Sequence, residues 1–154
     1  MRSPSYAKQT GFSLIEIVAV LFLIGLALAV VMFSFSKTLT SARIEAASRD
    51  LVAALRYTRG QAIVRGQQQA LDIDVEHNTY QAPGKPIVQL PHEMHMALVT
   101  AEIEQTGAAS GRIRFFPDGA STGGHITVFM GQRRWQVNVS WLTGQVVREE
   151  LAVR

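Results

Sequence analysis

Hydrophobic and polar positions divide this chain into three stretches with different periods. Residues 17–36 carry no charge and are mostly Val, Leu, Ile, Ala and Phe. At about 1.5 Å of rise per residue, a helix over that run spans about 30 Å, the thickness of a bilayer's hydrocarbon core. Beyond it the pattern turns amphipathic. Leu39, Ile44, Ala47, Leu51, Ala54, Leu55, Ala62 and Ile63 recur largely at three- and four-residue steps. Arg43, Glu45, Arg49, Arg56 and Arg59 take the other side, with Glu45 and Arg49 in the favourable i, i+4 order. No proline interrupts residues 12–82, and Gly60 costs only ~1 kcal/mol relative to Ala. Gly66, just after Arg65, supplies the stop. The prediction is one helix of about 50 residues, apolar in its first half and amphipathic in its second.

After Gly66 the period falls to two. Leu71, Ile73 and Val75 alternate with Asp72, Asp74 and Glu76, a half-buried strand that turns at His77-Asn78 and returns through Thr79-Tyr80-Gln81. Pro83, Gly84 and Pro86 mark a loop, strand candidates follow at 87–90 and 94–99, and residues 102–111 read as an exposed loop. Arg112 to Phe116 alternates into the turn Pro117-Asp118-Gly119. Ile126, Val128 and Met130 form the next strand, and Gly131-Gln132 turns it into Trp135, Val137, Val139 and Trp141. Period-two alternation puts both tryptophans on one face, where core packing is the expected role. Thr143-Gly144 leads into Val146-Val147-Arg148. The expectation is an antiparallel meander with one buried face, covered by the amphipathic helix.

Composition narrows the function. A chain of 154 residues makes one domain beside the apolar helix. The formal charge of +3 includes Arg2 and Lys8, which lie in a short polar leader without an acid. Without that leader 13 basic residues face 12 acidic ones, and beyond residue 36 the side-chain charge is +2. With Glu149-Glu150 near the end of the chain, this balance argues against a nucleic-acid surface, although Arg133-Arg134 beside Trp135 has the right chemistry for one. There is no cysteine, so neither disulfide nor thiol chemistry. His92-Glu93-Met94-His95 departs from the H-E-x-x-H spacing, and residues 119–124 lack the Lys-Ser/Thr ending of a phosphate loop. No catalytic group, metal ligand or cofactor site is predicted.

The basic leader orients the apolar segment with its N-terminus in the cytoplasm. Ala27-Leu28-Ala29 resembles a signal-peptidase site, but Val30-Val31-Met32-Phe33 would then begin the mature chain with more membrane-like sequence. The junction Gly11-Phe12-Ser13-Leu14-Ile15-Glu16 resembles the prepilin signature: a glycine, a phenylalanine, and an acid four residues after it, opening an apolar helix. At the other end, Phe115-Phe116, Pro117-Asp118-Gly119, Gly123-Gly124 and Thr143-Gly144 resemble the pilin-like family that contains general secretion pathway protein H and the FimT and FimU minor pilins. Residues 68–110 match that family only in their β character.

The resemblance implies an α+β, pilin-like fold with a long N-terminal helix packed on antiparallel sheet. It implies a prepilin leader at 1–11, a transmembrane helix at 12–35, an amphipathic continuation at 36–65 and a β domain at 66–154. By the same resemblance, prepilin peptidase cuts between Gly11 and Phe12 and methylates the Phe12 amine, and Glu16 acts in assembly. The implied function is that of a minor pseudopilin of type II secretion. It would be anchored in the inner membrane with its domain in the periplasm, and would assemble with major and minor pseudopilins near the pseudopilus tip. The alternative is a minor type IV pilin acting in pilus priming or DNA uptake.

Overall fold

The computed structural model describes residues 13–101, 105 and 109–152, the side chains of 30–40 excepted. The leader at 1–11 and Phe12 lie outside the described residues. The chain divides into two compact units, Met1–Leu39 and Thr40–Arg154. Helix α1 runs Leu14–Arg65. In the first unit its described side chains are exposed, including Leu14, Ile15, Leu21 and Phe22. A helix apolar all round needs lipid or protein around it. Among the described residues no helix is long and apolar enough to cross a membrane. The anticipated span at 12–35 includes Phe12 and side chains from residue 30 onward that lie outside the described set.

In the second unit α1 buries one seam. Ile44, Ser48, Leu51, Leu55, Thr58 and Ala62 recur at alternating four- and three-residue steps, and each is at most 1% exposed. Ser48 and Thr58 were not expected on this face. Their hydroxyls are satisfied within the helix, Ser48 Oγ donating to Glu45 O at 2.8 Å and Thr58 Oγ1 to Ala54 O at 2.8 Å. Ile63, expected on the stripe, is 45% exposed. The helix stops where Gly66 predicts: Gln67 N–H donates to Ala62 O and Gly66 N–H to Ile63 O, the paired bonds of a Schellman cap.

The strands are β1 Gln69–Asp74, β2 Thr79–Gln81, β3 Val88–Gln89, β4 His95–Val99, β5 Ser110–Phe115, β6 Gly124–Met130, β7 Arg133–Val139 and β8 Val146–Leu151. They form two four-stranded sheets, ordered β3-β2-β1-β5 and β4-β6-β7-β8. The expected α+β class holds, but the single meander does not. Consecutive strands pair in two separate runs, β1-β2-β3 and β6-β7-β8, while β4 and β5 join strands distant in sequence. β5 pairs with β1, Leu71 opposite Ile113 and Asp72 opposite Arg112. Ser110 and Gly111, expected in a loop, open that strand.

Backbone geometry explains the departure. After β5 the chain folds back on itself, Phe116 N–H donating to Ala120 O at 2.9 Å. It then passes Gly124, whose φ of 125° excludes most side chains. A Cβ there would meet Val99 O at 2.5 Å, so glycine is what lets β6 lie against β4. The sheets are tied again at the β1–β2 turn. Asn78, at φ 53°, accepts Met96 N–H on its side-chain Oδ1 at 2.9 Å and Leu90 N–H on its carbonyl at 3.0 Å. Helix and both sheets bury one core, with Phe115, Leu71, Ile113, Met94, Ile126 and Val137 among its fully enclosed side chains.

The tryptophans separate. Trp135 on β7 is half-buried against the core, whereas β7 ends at Val139 and leaves Trp141 in the following turn, 68% exposed. Alternation holds only while the ladder continues, so the shared-face expectation fails for Trp141.

The seam makes a direct forecast. Leu55→Ala should destabilise the chain by about 2–5 kcal/mol through lost burial and a residual cavity, whereas Ile63→Ala should change stability by no more than about 0.5 kcal/mol. Urea denaturation of the detergent-solubilised variants checks both, and equal losses would contradict the assigned faces.

Candidate functional site

Of the three residues singled out at the N-terminal junction, Gly11 and Phe12 lie outside the described residues. Glu16 falls in the first turn of α1, where its N–H donates to Ser13 O at 3.0 Å. A carboxylate there faces the positive end of the helix dipole. It is exposed, among the equally exposed apolar side chains that follow it. A carboxylate fixed at the head of an apolar helix is a charge that packing against other apolar helices would force to find a partner.

Some of the arginines considered as a grip on nucleic acid are neutralised from within. Arg49 pairs with Glu45, Arg112 with Asp72 at 3.6 Å and Arg133 with Glu150 at 3.2 Å. Arg148, on β8, reaches α1: it donates to Glu45 O at 3.2 Å and Ser48 Oγ at 3.0 Å, and stands 4.2 Å over the Trp135 ring. That side chain fastens the last strand to the helix through Trp135, a cation–π contact with hydrogen bonds behind it. Arg49 above all, with Arg148 further off, holds the Glu45 carboxyl below its ordinary range. Sequence patterning could not find this node, because its members come from three elements.

The remaining candidates lie in turns and on strand β4. Residues 119–124 form a closed loop: Asp118 Oδ1 accepts Ala120 N–H at 3.0 Å, and Ser121 Oγ donates to Ser140 O at 2.9 Å. Among the described residues no group of three His, Asp or Glu side chains is placed to hold a metal ion. His95 instead lies beside Phe129, ring centroids 5.5 Å apart. At the β1–β2 turn, the Asp74 carboxylate accepts His77 N–H at 2.9 Å and meets the His77 ring at 2.8 Å. Those bonds hold Asp74 below its ordinary range, and the carboxylate raises His77.

The signs of those two shifts define a window. The His77 contribution is present below its unperturbed 6.5 and is lost as pH rises through the raised value. The Asp74 contribution is present above its unperturbed 3.8 and is lost as pH falls through the depressed value. Asp74→Asn should therefore move the His77 titration midpoint downward, read by NMR of the imidazole. An unmoved midpoint would remove the pair.

Comparison with known proteins brings these features together. The family model described as "Type II transport protein GspH" matches residues 47–144, and that of the "Prokaryotic N-terminal methylation motif" matches residues 6–32. The type II secretion system protein H of Xanthomonas campestris is 38% identical over 136 residues, covering 88% of this chain and 80% of that protein. Two structures of the minor pseudopilin EpsH from the type 2 secretion system of Vibrio cholerae share the fold. Their TM-scores are 0.54 and 0.53 at 14% identity, covering 71% and 73% of this chain and 97% and 96% of theirs.

Proposed function

The chain belongs to the GspH family of type II transport proteins, and on that premise we propose that it serves as a minor pseudopilin, a structural subunit of the pseudopilus that drives type II secretion. The observation that carries this reading is the presence of both family signatures on one chain. The methylation motif covers the head of the apolar helix, and the GspH match covers the seam of α1 from Ser48 onward and every strand but β8. The family is structural, and a pseudopilin works by assembling with other pseudopilins.

The finer steps follow from chemistry at the junction. Prepilin peptidase cuts between Gly11 and Phe12 and methylates the new Phe12 amine. The apolar stretch at 12–35 anchors the subunit once in the inner membrane, and the amphipathic helix at 36–65 and the β domain at 66–154 stand in the periplasm. The subunit then joins the pseudopilus near its tip, which supports passage of folded proteins through the outer membrane. The side-chain charge of only +2 beyond residue 36, with Arg49, Arg112, Arg133 and Arg148 paired internally, favours this role over DNA uptake.

Glu16 supplies the electrostatic part of assembly. A freed Phe12 amine carries positive charge near neutral pH, with a reference pKa of ~7.7–8.0. Glu16 lies four residues on, one helical turn away. Its carboxylate pairs with that amine, its own or a neighbouring subunit's, where burial alone would be costly.

Two measurements test the reading. Mass spectrometry of the membrane form should find an N-terminus at methylated Phe12, and a mature start at Met1 or Val30 would end it. Glu16→Gln should leave insertion and cleavage intact, since neither needs the charge, while lowering incorporation with partner pseudopilins. Normal incorporation would strip Glu16 of this role.

A further inference from the structure

We propose that Arg56 and Arg59 form a carboxylate-binding pocket through which this subunit holds an acidic segment of a neighbouring pilin-like subunit. The proposal rests on the pseudopilin reading and adds to it a contact surface and the chemistry of its partner. A pocket of about 450 Å³ opens where α1 meets the turn after β7, lined by Arg56, Arg59, Thr143, Gly144, Gln145 and Val146. None of the lining residues is acidic. The two arginines stand three apart on α1, so their side chains leave one face of the helix.

Each guanidinium has five N–H donors and spends few of them inside the domain. Arg56 Nη2 donates to Val146 O at 3.3 Å, and Arg59 Nε to Gly119 O at 3.0 Å. Among the described residues neither forms an ion pair, although Arg49, Arg112, Arg133 and Arg148 all do. Asp118, on the adjoining turn, is turned to Ala120 N–H instead. The Arg59 side chain is pinned as well as unpaired. A Cβ at Gly144 would meet Arg59 Nε at 2.9 Å and one at Gly119 would meet Arg59 Nη2 at 2.9 Å, so the two glycines form its bed. A pre-positioned guanidinium loses little freedom on binding, and paired forks match the planar geometry of a carboxylate.

The rim states what kind of carboxylate fits. The turn that supplies Thr143 and Gly144 to the lining also carries Trp141 and Leu142, 68% and 64% exposed. Exposed Trp on a turn that faces two unpaired Arg side chains matches the composition of a protein-binding hot spot, in which apolar neighbours exclude water from a charged contact. A free small anion would leave Trp141 and Leu142 uncovered. An Asp or Glu on a partner segment with apolar neighbours satisfies both parts.

The test uses the full chain, co-produced with its partner subunits and recovered from the membrane and pseudopilus fraction. Arg56 is exposed and makes one long bond, so Arg56→Glu should leave the thermal unfolding midpoint unchanged while lowering recovery of neighbouring subunits about tenfold or more. Arg56→Lys keeps the charge and adds an amine that a water-soluble carbodiimide joins to a carboxylate in direct contact. The expected product is an amide from position 56 to an Asp or Glu of another subunit, located by mass spectrometry. Recovery within twofold of wild type for Arg56→Glu, or amides only to acids of the same chain, would overturn the pocket and leave the pseudopilin reading standing. Failure of the wild-type chain to recover any pilin-like subunit would overturn both.

Discussion

Burial of one face of α1 is the constraint on which the second unit depends. Ile44, Leu51, Leu55 and Ala62 are fully enclosed, and the side chains they share the core with come from both sheets. Neither sheet is long enough or covered enough to stand by itself, since a sheet with one apolar face must bury it against another layer. The helix gives both sheets the same surface to bury. At 1.5–3 kcal/mol for each large apolar side chain removed from water, the seam is a major part of whatever stability the unit has. The polar residues on that face are the two whose hydroxyls close back onto the helix itself, Ser48 and Thr58.

Around this seam the polar interactions work as fasteners. Arg148 carries β8 to the helix through Glu45, Ser48 and the Trp135 ring. Asn78 carries the β1–β2 turn to β4, and Ser121 binds the loop after β5 to the turn after β7. Each joins elements distant in sequence, and each uses groups that would otherwise be left half-satisfied near the core. The turn holding Trp141 is thereby fixed in place and yet points an aromatic side chain outward. A rigid loop with an exposed indole loses little entropy when a partner covers it.

The two units differ in kind. In the first unit the described side chains beyond Glu16 are exposed and almost all apolar, a surface suited to lipid or to other helices. The second is a folded domain in which Arg49, Arg112, Arg133 and Arg148 pair internally while Arg56 and Arg59 form no ion pair among the described residues. Outward charge of opposite sign thus stands on each unit, Glu16 at the head of the helix in the first and Arg56 and Arg59 on its amphipathic half in the second.

Some of this was present in the sequence and some only in three dimensions. The period of the apolar residues was enough to define α1, its change of character and its stop at Gly66, because helix periodicity and a glycine cap are local effects. The GFSLIE junction was legible as the methylation motif matched at residues 6–32 for the same reason: the residues are contiguous. Strand existence was legible, as Leu71/Ile73, Ile126/Val128 and Val137/Val139 all face the core. Partnership was not. Pairing of β5 with β1, the split into two sheets and the exposure of Trp141 depend on how Gly124 and the 116–122 fold-back redirect the backbone, and a two-residue period carries no information about which strand lies alongside. The Arg148 node and the Arg56–Arg59 pocket arise in the same way. Arginines identical in sequence become clasp or contact surface according to whether tertiary packing brings a carboxylate within reach.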